Sequence, residues 1–137
     1  MKQPPNLAVT LVTAVVALCA IVFVRQILTP TPTDEWWLTD ERAAFASARA
    51  RNKPLLVDYQ ATWSVPSMEM SSSLEELRPN LEGTFIPLRI DVSNAPSMQP
   101  GIAFVDPDGK VLARIRHNAG TDEIRRTAEA AIRNRRR

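Results

Sequence analysis

Residues 54–70 read PLLVDYQATWSVPSMEM. Leu55, Leu56 and Val57 make an apolar run that passes through Asp58 and Tyr59 into Ala61, Thr62 and Trp63. Ser64, Val65, Pro66 and Ser67 follow, and the residues after them are able to continue as a helix. A short apolar run, a break and a helix-compatible segment describe a buried strand, a tight turn and a helix N-terminus. Asp58 places a carboxyl in the strand, and a buried acid without a partner stays neutral or costs stability.

On the N-terminal side, Trp36, Trp37 and Leu38 precede Thr39-Asp40-Glu41-Arg42. Thr39 or Asp40 can cap a helix that carries an acid in its first turn. Residues 43–51 continue that helix, with Ala44, Phe45 and Ala48 on one side, and Asn52-Lys53-Pro54 ends it. The tryptophan pair fits either a membrane-interface belt or the edge of a core, and we favour the core edge. On the C-terminal side, residues 68–77 read as helix, weakened by Ser71-Ser72-Ser73 and broken by Arg78-Pro79-Asn80. Residues 84–92 alternate as a strand, in which Pro87 asks for a bulge or a first-residue position. Residues 93–99 form a short loop and residues 101–105 another strand. Asp106-Pro107-Asp108-Gly109 is a hairpin turn, with proline preset for the second position and glycine free to take positive φ. Residues 111–116 return antiparallel. Thr121 caps the last helix, whose apolar stripe is Ile124, Ala128, Ala131 and Ile132. Helix, strand, helix, three strands and a final helix make an α/β layered domain with a mixed sheet.

This domain is expected to occupy residues 36–137, the last of them a basic tail. Residues 1–6 are a short polar tail. Residues 7–24, LAVTLVTAVVALCAIVFV, contain no charge over eighteen positions. As a helix they span about 27 Å, close to the thickness of a bilayer's hydrocarbon core. Ile27 and Leu28 extend the segment, so the expected transmembrane anchor covers residues 7–28. A cleaved signal peptide is the rival reading, but Ile21-Val22-Phe23-Val24 carries the apolar run past the passable site at Ala17-Leu18-Cys19. A buried soluble helix lacks its polar face. A short N-terminal tail implies N-in and C-out, which in a bacterium places the domain in the periplasm as a single-pass inner-membrane protein. Residues 29–35 begin TPTPT and form a stiff, extended linker.

Composition narrows the chemistry. The 137 residues are 45% hydrophobic and 23% charged, with a formal charge of +2, as expected of a folded domain. Cys19 is the single cysteine, so neither an intrachain disulfide nor a cysteine metal cluster is possible. No cofactor or metal site is expected. The four arginines of Arg133-Asn134-Arg135-Arg136-Arg137 have no interleaved aromatics. They suit a solvated helix end better than a nucleic-acid surface.

The stretch at 54–70 resembles the active-site segment of the thioredoxin-fold family, Val-Asp-Phe-x-Ala-x-Trp-Cys-x-x-Cys. The likeness extends from about Trp36 to Ile132. It includes the lead-in helix, the Lys53-Pro54 pair and the Asp106–Gly109 hairpin, features that resemble membrane-associated bacterial forms such as the C-terminal domain of DsbD-type reductases. The resemblance implies a thioredoxin-like mixed sheet flanked by helices. It places Trp63 beside the nucleophile, Ser64 at the attacking cysteine, Ser67 at the resolving cysteine and Val65-Pro66 inside the motif. It makes Asp58 the buried acid, which we read as structural, bonded to Ser67 or a water. Pro100 falls at the family's cis-proline, although Gln99-Pro100-Gly101 departs from the usual context. Residues 93–99 are too short for the helix the family has there, and Met68 replaces a frequent basic residue.

Serine in both places removes the family's chemistry. Disulfide exchange needs a thiolate that attacks sulfur, and a serine hydroxyl is far harder to ionise. Hydrolysis at Ser64 would need a base, for which His117 is the one histidine. The expectation is therefore a redox-inactive, membrane-anchored module that binds a periplasmic or membrane protein at a groove formed by Trp63, Val65, Pro66 and Pro100. The alternative is a thiol–disulfide oxidoreductase whose motif cysteines are replaced by serine. A third reading keeps the domain as a structural spacer.

Overall fold

The computed structural model describes residues 36–116 and 118–137. The expected anchor at 7–28 and the linker at 29–35 lie outside them. Among the described residues no helix is long and apolar enough to cross a membrane.

Helix α1 (Glu41–Arg51) starts at Asp40, whose carboxylate accepts from the Ala43 N–H at 2.9 Å. It ends at Asn52, which takes the left-handed conformation at φ 51°. Strand β1 (Leu55–Gln60) is followed by α2 (Val65–Leu81), β2 (Ile86–Asp91), β3 (Gly101–Val105), β4 (Val111–Ile115) and α3 (Thr121–Arg135). The sheet order is β2-β1-β3-β4, with β1 and β2 parallel and the other neighbours antiparallel. This is the expected mixed sheet. The expected element order is also observed, and β3 has the expected limits.

Period-two alternation divides each strand between two layers. Leu55, Val57, Leu88, Ala103 and Val105 meet Ala44 and Ala48 of α1 on one face. Leu56, Ile102, Phe104 and Leu112 meet Met70, Leu74, Ile124 and Ala128 on the other. Trp36 and Trp37 are buried in that second layer, as a core edge requires. Full burial of one such large apolar side chain contributes about 1.5–3 kcal/mol.

Three expectations about these elements are corrected. Helix α2 begins at Val65, with Pro66 in its first turn, and runs through Pro79 to Leu81. Pro79 lacks an N–H, but buried Leu77 and Leu81 hold the last turn against the core, and Glu82 N still reaches the Arg78 carbonyl at 2.9 Å. The serines inside α2 are accommodated because Ser72 and Ser73 donate to the carbonyls of Met68 and Glu69, one turn back. Pro87 is the second residue of β2, paired with Leu56 in regular register, so neither a bulge nor a first-residue position is needed. Its carbonyl accepts from Leu38 N on the side away from β1, and its nitrogen, on that same side, owes β1 no hydrogen bond. Finally, Gly120 and not Thr121 is the N-cap of α3. Thr121 is already helical, and its hydroxyl reaches Glu76 at 3.3 Å.

Candidate functional site

The β1–α2 turn is built by its two serines. Ser64 N donates to the Ala61 carbonyl at 3.1 Å, closing the turn. Ser64 is then the N-cap of α2, its hydroxyl accepting from Ser67 N at 3.3 Å. Ser67 is 1% exposed, and its hydroxyl accepts from Ala61 N at 3.0 Å. Each hydroxyl thus satisfies a backbone donor that the turn would otherwise leave unpaired.

Trp63 and Val65 stand on the outside of this turn, with 66% and 68% of their surfaces exposed. Met68 and Met98 are also exposed. The turn is anchored to residues 92–100, the β2–β3 connection. Ser93 accepts from Thr62 N at 3.0 Å and from the Thr62 hydroxyl at 3.1 Å, and its carbonyl accepts from Trp63 Nε1 at 3.1 Å. Asp91 accepts from both the N–H and the hydroxyl of Ser93, which holds its carboxyl below the ordinary range. Ser93 was not foreseen. An Asp-x-Ser sequence at a strand end is the local signal for it, because such carboxylates often bond the backbone two residues on.

Pro100 lies at the same end of the sheet, since β3 opens with Gly101 paired to Tyr59. The Gln99–Pro100 peptide is trans, which corrects the expectation of a cis bond. The intervening residues 93–99 hold turns and no helix, as their length requires.

Asp58 is 1% exposed and does not bond to Ser67. Its Oδ2 accepts from the Ser71 hydroxyl at 2.8 Å and from Arg89 Nε at 3.1 Å. The register pairs Asp58 with Arg89 across β1 and β2, so the two share a face. Ser71, and not Ser67, is the α2 serine that reaches Asp58 from above. Arg89 also reaches Glu75 at 3.4 Å, and Trp37 Nε1 donates to that same Glu75 oxygen. The guanidinium lies 4.2 Å from the Trp37 ring centroid. Burial pushes the Asp58 carboxyl up; the Ser71 hydrogen bond and Arg89 pull it back, while Glu75 adds to the rise. Arg89 and Glu75 were missed by sequence reasoning, because their convergence depends on strand register and on the face α2 presents.

Chemically the arrangement offers two committed hydroxyls, exposed apolar side chains and a buried, ion-paired acid. Among the described residues no group of three acidic, histidine or cysteine side chains is placed to hold a metal. His117, the base that hydrolysis would require, lies outside the described residues.

The family described as thioredoxin-like matches residues 36–113. The domain is similar to the oxidised C-terminal domain of DsbD from Neisseria meningitidis, at 20% identity and a TM-score of 0.55, covering 68% of this chain and 97% of that one. It is similar to a poplar thioredoxin h, at 19% identity and a TM-score of 0.57, covering 70% and 94%. It is also similar to the germline-specific thioredoxin Deadhead of Drosophila melanogaster, at 21% identity and a TM-score of 0.52, covering 68% and 95%. No curated protein sequence matches the chain.

Proposed function

The chain belongs to the thioredoxin-like family, and from that membership we propose that it is a membrane-anchored, redox-inactive module that binds another protein on the periplasmic side of a bacterial inner membrane. The observation that carries this reading is the division of labour at the β1–α2 turn. Ser64 and Ser67 spend their hydroxyls on backbone donors, while Trp63 and Val65 remain exposed beside them. An extended segment of a partner would lie between this turn and the Pro100 segment, held by backbone pairing and by apolar contact with Trp63. With serine at both motif positions no mixed disulfide forms, so capture is reversible. The alternative, a thiol–disulfide oxidoreductase with its motif cysteines replaced, draws on the same helix N-terminus, which would favour a thiolate at position 64.

The test is affinity capture of the full-length protein from native membranes after mild crosslinking, beside a Trp63→Ala variant. Trp63 is exposed, so its truncation leaves the core intact. A stoichiometric partner retained by the wild type and lost by the variant is the expected result. A partner kept equally by both, or none at all, would remove the turn as the binding site.

A further inference from the structure

Helix α1 packs against β1 and β2, and the β2–β3 connection adds no helix beside it. The same face of the sheet is therefore open toward β3 and β4 at the motif end. A cavity of 360 Å³ lies there, lined by Tyr59, Met98, Pro100, Ile102, Arg114 and Arg116 among others. Arg114 pairs with Ala103 in the β3–β4 ladder and so lies on the α1 face, and Arg116 follows two residues on. Across the sheet, Tyr59 is paired with Gly101, whose missing side chain lets the Ile115–Arg116 backbone approach closely.

The charge of this cavity is one-sided. Arg114 and Arg116 are both exposed, and among the described residues neither is paired with a carboxylate. No acidic residue lines the cavity. The rest of its lining includes the 97–101 segment, where Met98 and Pro100 are apolar and Ser97 and Gln99 polar. Two guanidinium groups beside Met98 and Pro100 fit a carboxylate on a short aliphatic stem, the pattern of a glutamate or aspartate side chain. Pro100 lines the cavity, and the adjoining Gly101 pairs with Tyr59 four residues before Trp63, so the cavity and the Trp63 turn share one end of the sheet.

We propose that the cavity between Tyr59, Pro100, Arg114 and Arg116 is a specificity pocket for an acidic side chain of an extended protein segment. The proposal rests on the binding-module reading and names the chemistry of the partner. Apolar residues of that segment meet Trp63 and Val65, and its carboxylate meets the two guanidinium groups. Recognition of this kind weakens as salt rises, because both arginines are exposed.

The experiment is a selection of short random peptides from a displayed library on the full-length chain, repeated on Arg114→Gln/Arg116→Gln and on Trp63→Ala. Selected peptides are then measured by fluorescence anisotropy at low and high salt. The expected result is enrichment of Asp or Glu beside apolar residues, with binding about tenfold weaker in the double arginine variant and partly restored by Arg114→Lys/Arg116→Lys. Peptides without acidic enrichment, lost in Trp63→Ala but held by the arginine variant, overturn the pocket and leave the groove reading standing. Absence of any selected peptide overturns both. Binding of free glutarate, abolished in the arginine variant but with no peptide selected, overturns the peptide as occupant in favour of a small dicarboxylate.

Discussion

Asp58 shows how one residue's environment sets its behaviour. It is covered by α2, bonded by Ser71 and flanked by Arg89, yet desolvation is the largest influence and raises its pKa. The consequence for stability has a definite sign. Below the ordinary carboxylate value of 3.8, folded and unfolded chains are both protonated there and the group contributes nothing. Between that value and the raised folded value, the native state holds a proton that the unfolded chain has released, so stability falls as pH rises. Above the folded value the loss is complete and constant. Urea unfolding of the wild type and Asp58→Asn across acidic to neutral pH checks this. The wild type's stability relative to the variant is expected to decline as pH rises through that window. A difference that stays flat with pH would show that Arg89 and Ser71 fully compensate the burial. Arg89 keeps Glu75 as a partner in the variant, which limits the damage of an unpaired guanidinium. Ser64 and Ser67 carry the other lesson at this scale: a hydroxyl fits the turn as a hydrogen-bond acceptor without the family's chemistry.

Among the elements, the β3–β4 pair is the most constrained by a single position. A Cβ built on Gly101 would lie 2.4 Å from the Ile115 carbonyl oxygen, and the residue's φ is +157°. The clash is with backbone, so only movement of β3 against β4 relieves it. Gly101→Ala is expected to cost about 1–3 kcal/mol in urea unfolding, with the secondary structure kept by circular dichroism. Unchanged stability would show that the strands separate there at little cost. The hairpin that joins these strands was legible because its turn chemistry is local. Gly109 N reaches the Asp106 carbonyl at 2.8 Å, and Gly109 takes φ +95°. Helix α2 was less legible. Proline and serine propensities ended it early on paper, whereas burial of Leu77 and Leu81 carries it through Pro79.

Across the domain, the C-terminal end of α3 does more than fray into solvent. Arg135 donates from Nε to Asp106 in the hairpin turn, from one terminal nitrogen to the Asn52 carbonyl at 2.9 Å, and from the other to the Asn52 side chain. One side chain thereby ties the end of α3 to the β3–β4 turn and to the cap of α1. Arg135 and Asp106 are each about three-quarters buried, so screening by solvent is limited. Arg135→Ala is expected to destabilise the domain by about 1–3 kcal/mol in thermal or urea unfolding. Arg136→Ala, at an exposed neighbouring position, should stay within about 0.5 kcal/mol. Equal effects of the two would show that Arg135 acts only as one more cation at a helix end.

The sequence by itself determined the element order, the mixed sheet and the hairpin, because apolar runs, periodicity and turn chemistry are written in neighbouring residues. It also determined that the described domain has no thiol, since the single cysteine is Cys19. Only the tertiary structure decided that Asp58 is held by Ser71 and Arg89, that Ser93 fastens the Trp63 turn, and that Arg135 clasps two distant elements. It likewise decided that Arg114 and Arg116 border a cavity. These partners are far apart along the chain. Their meeting follows from strand register and from the angle at which helices settle on the sheet, neither of which a local pattern encodes.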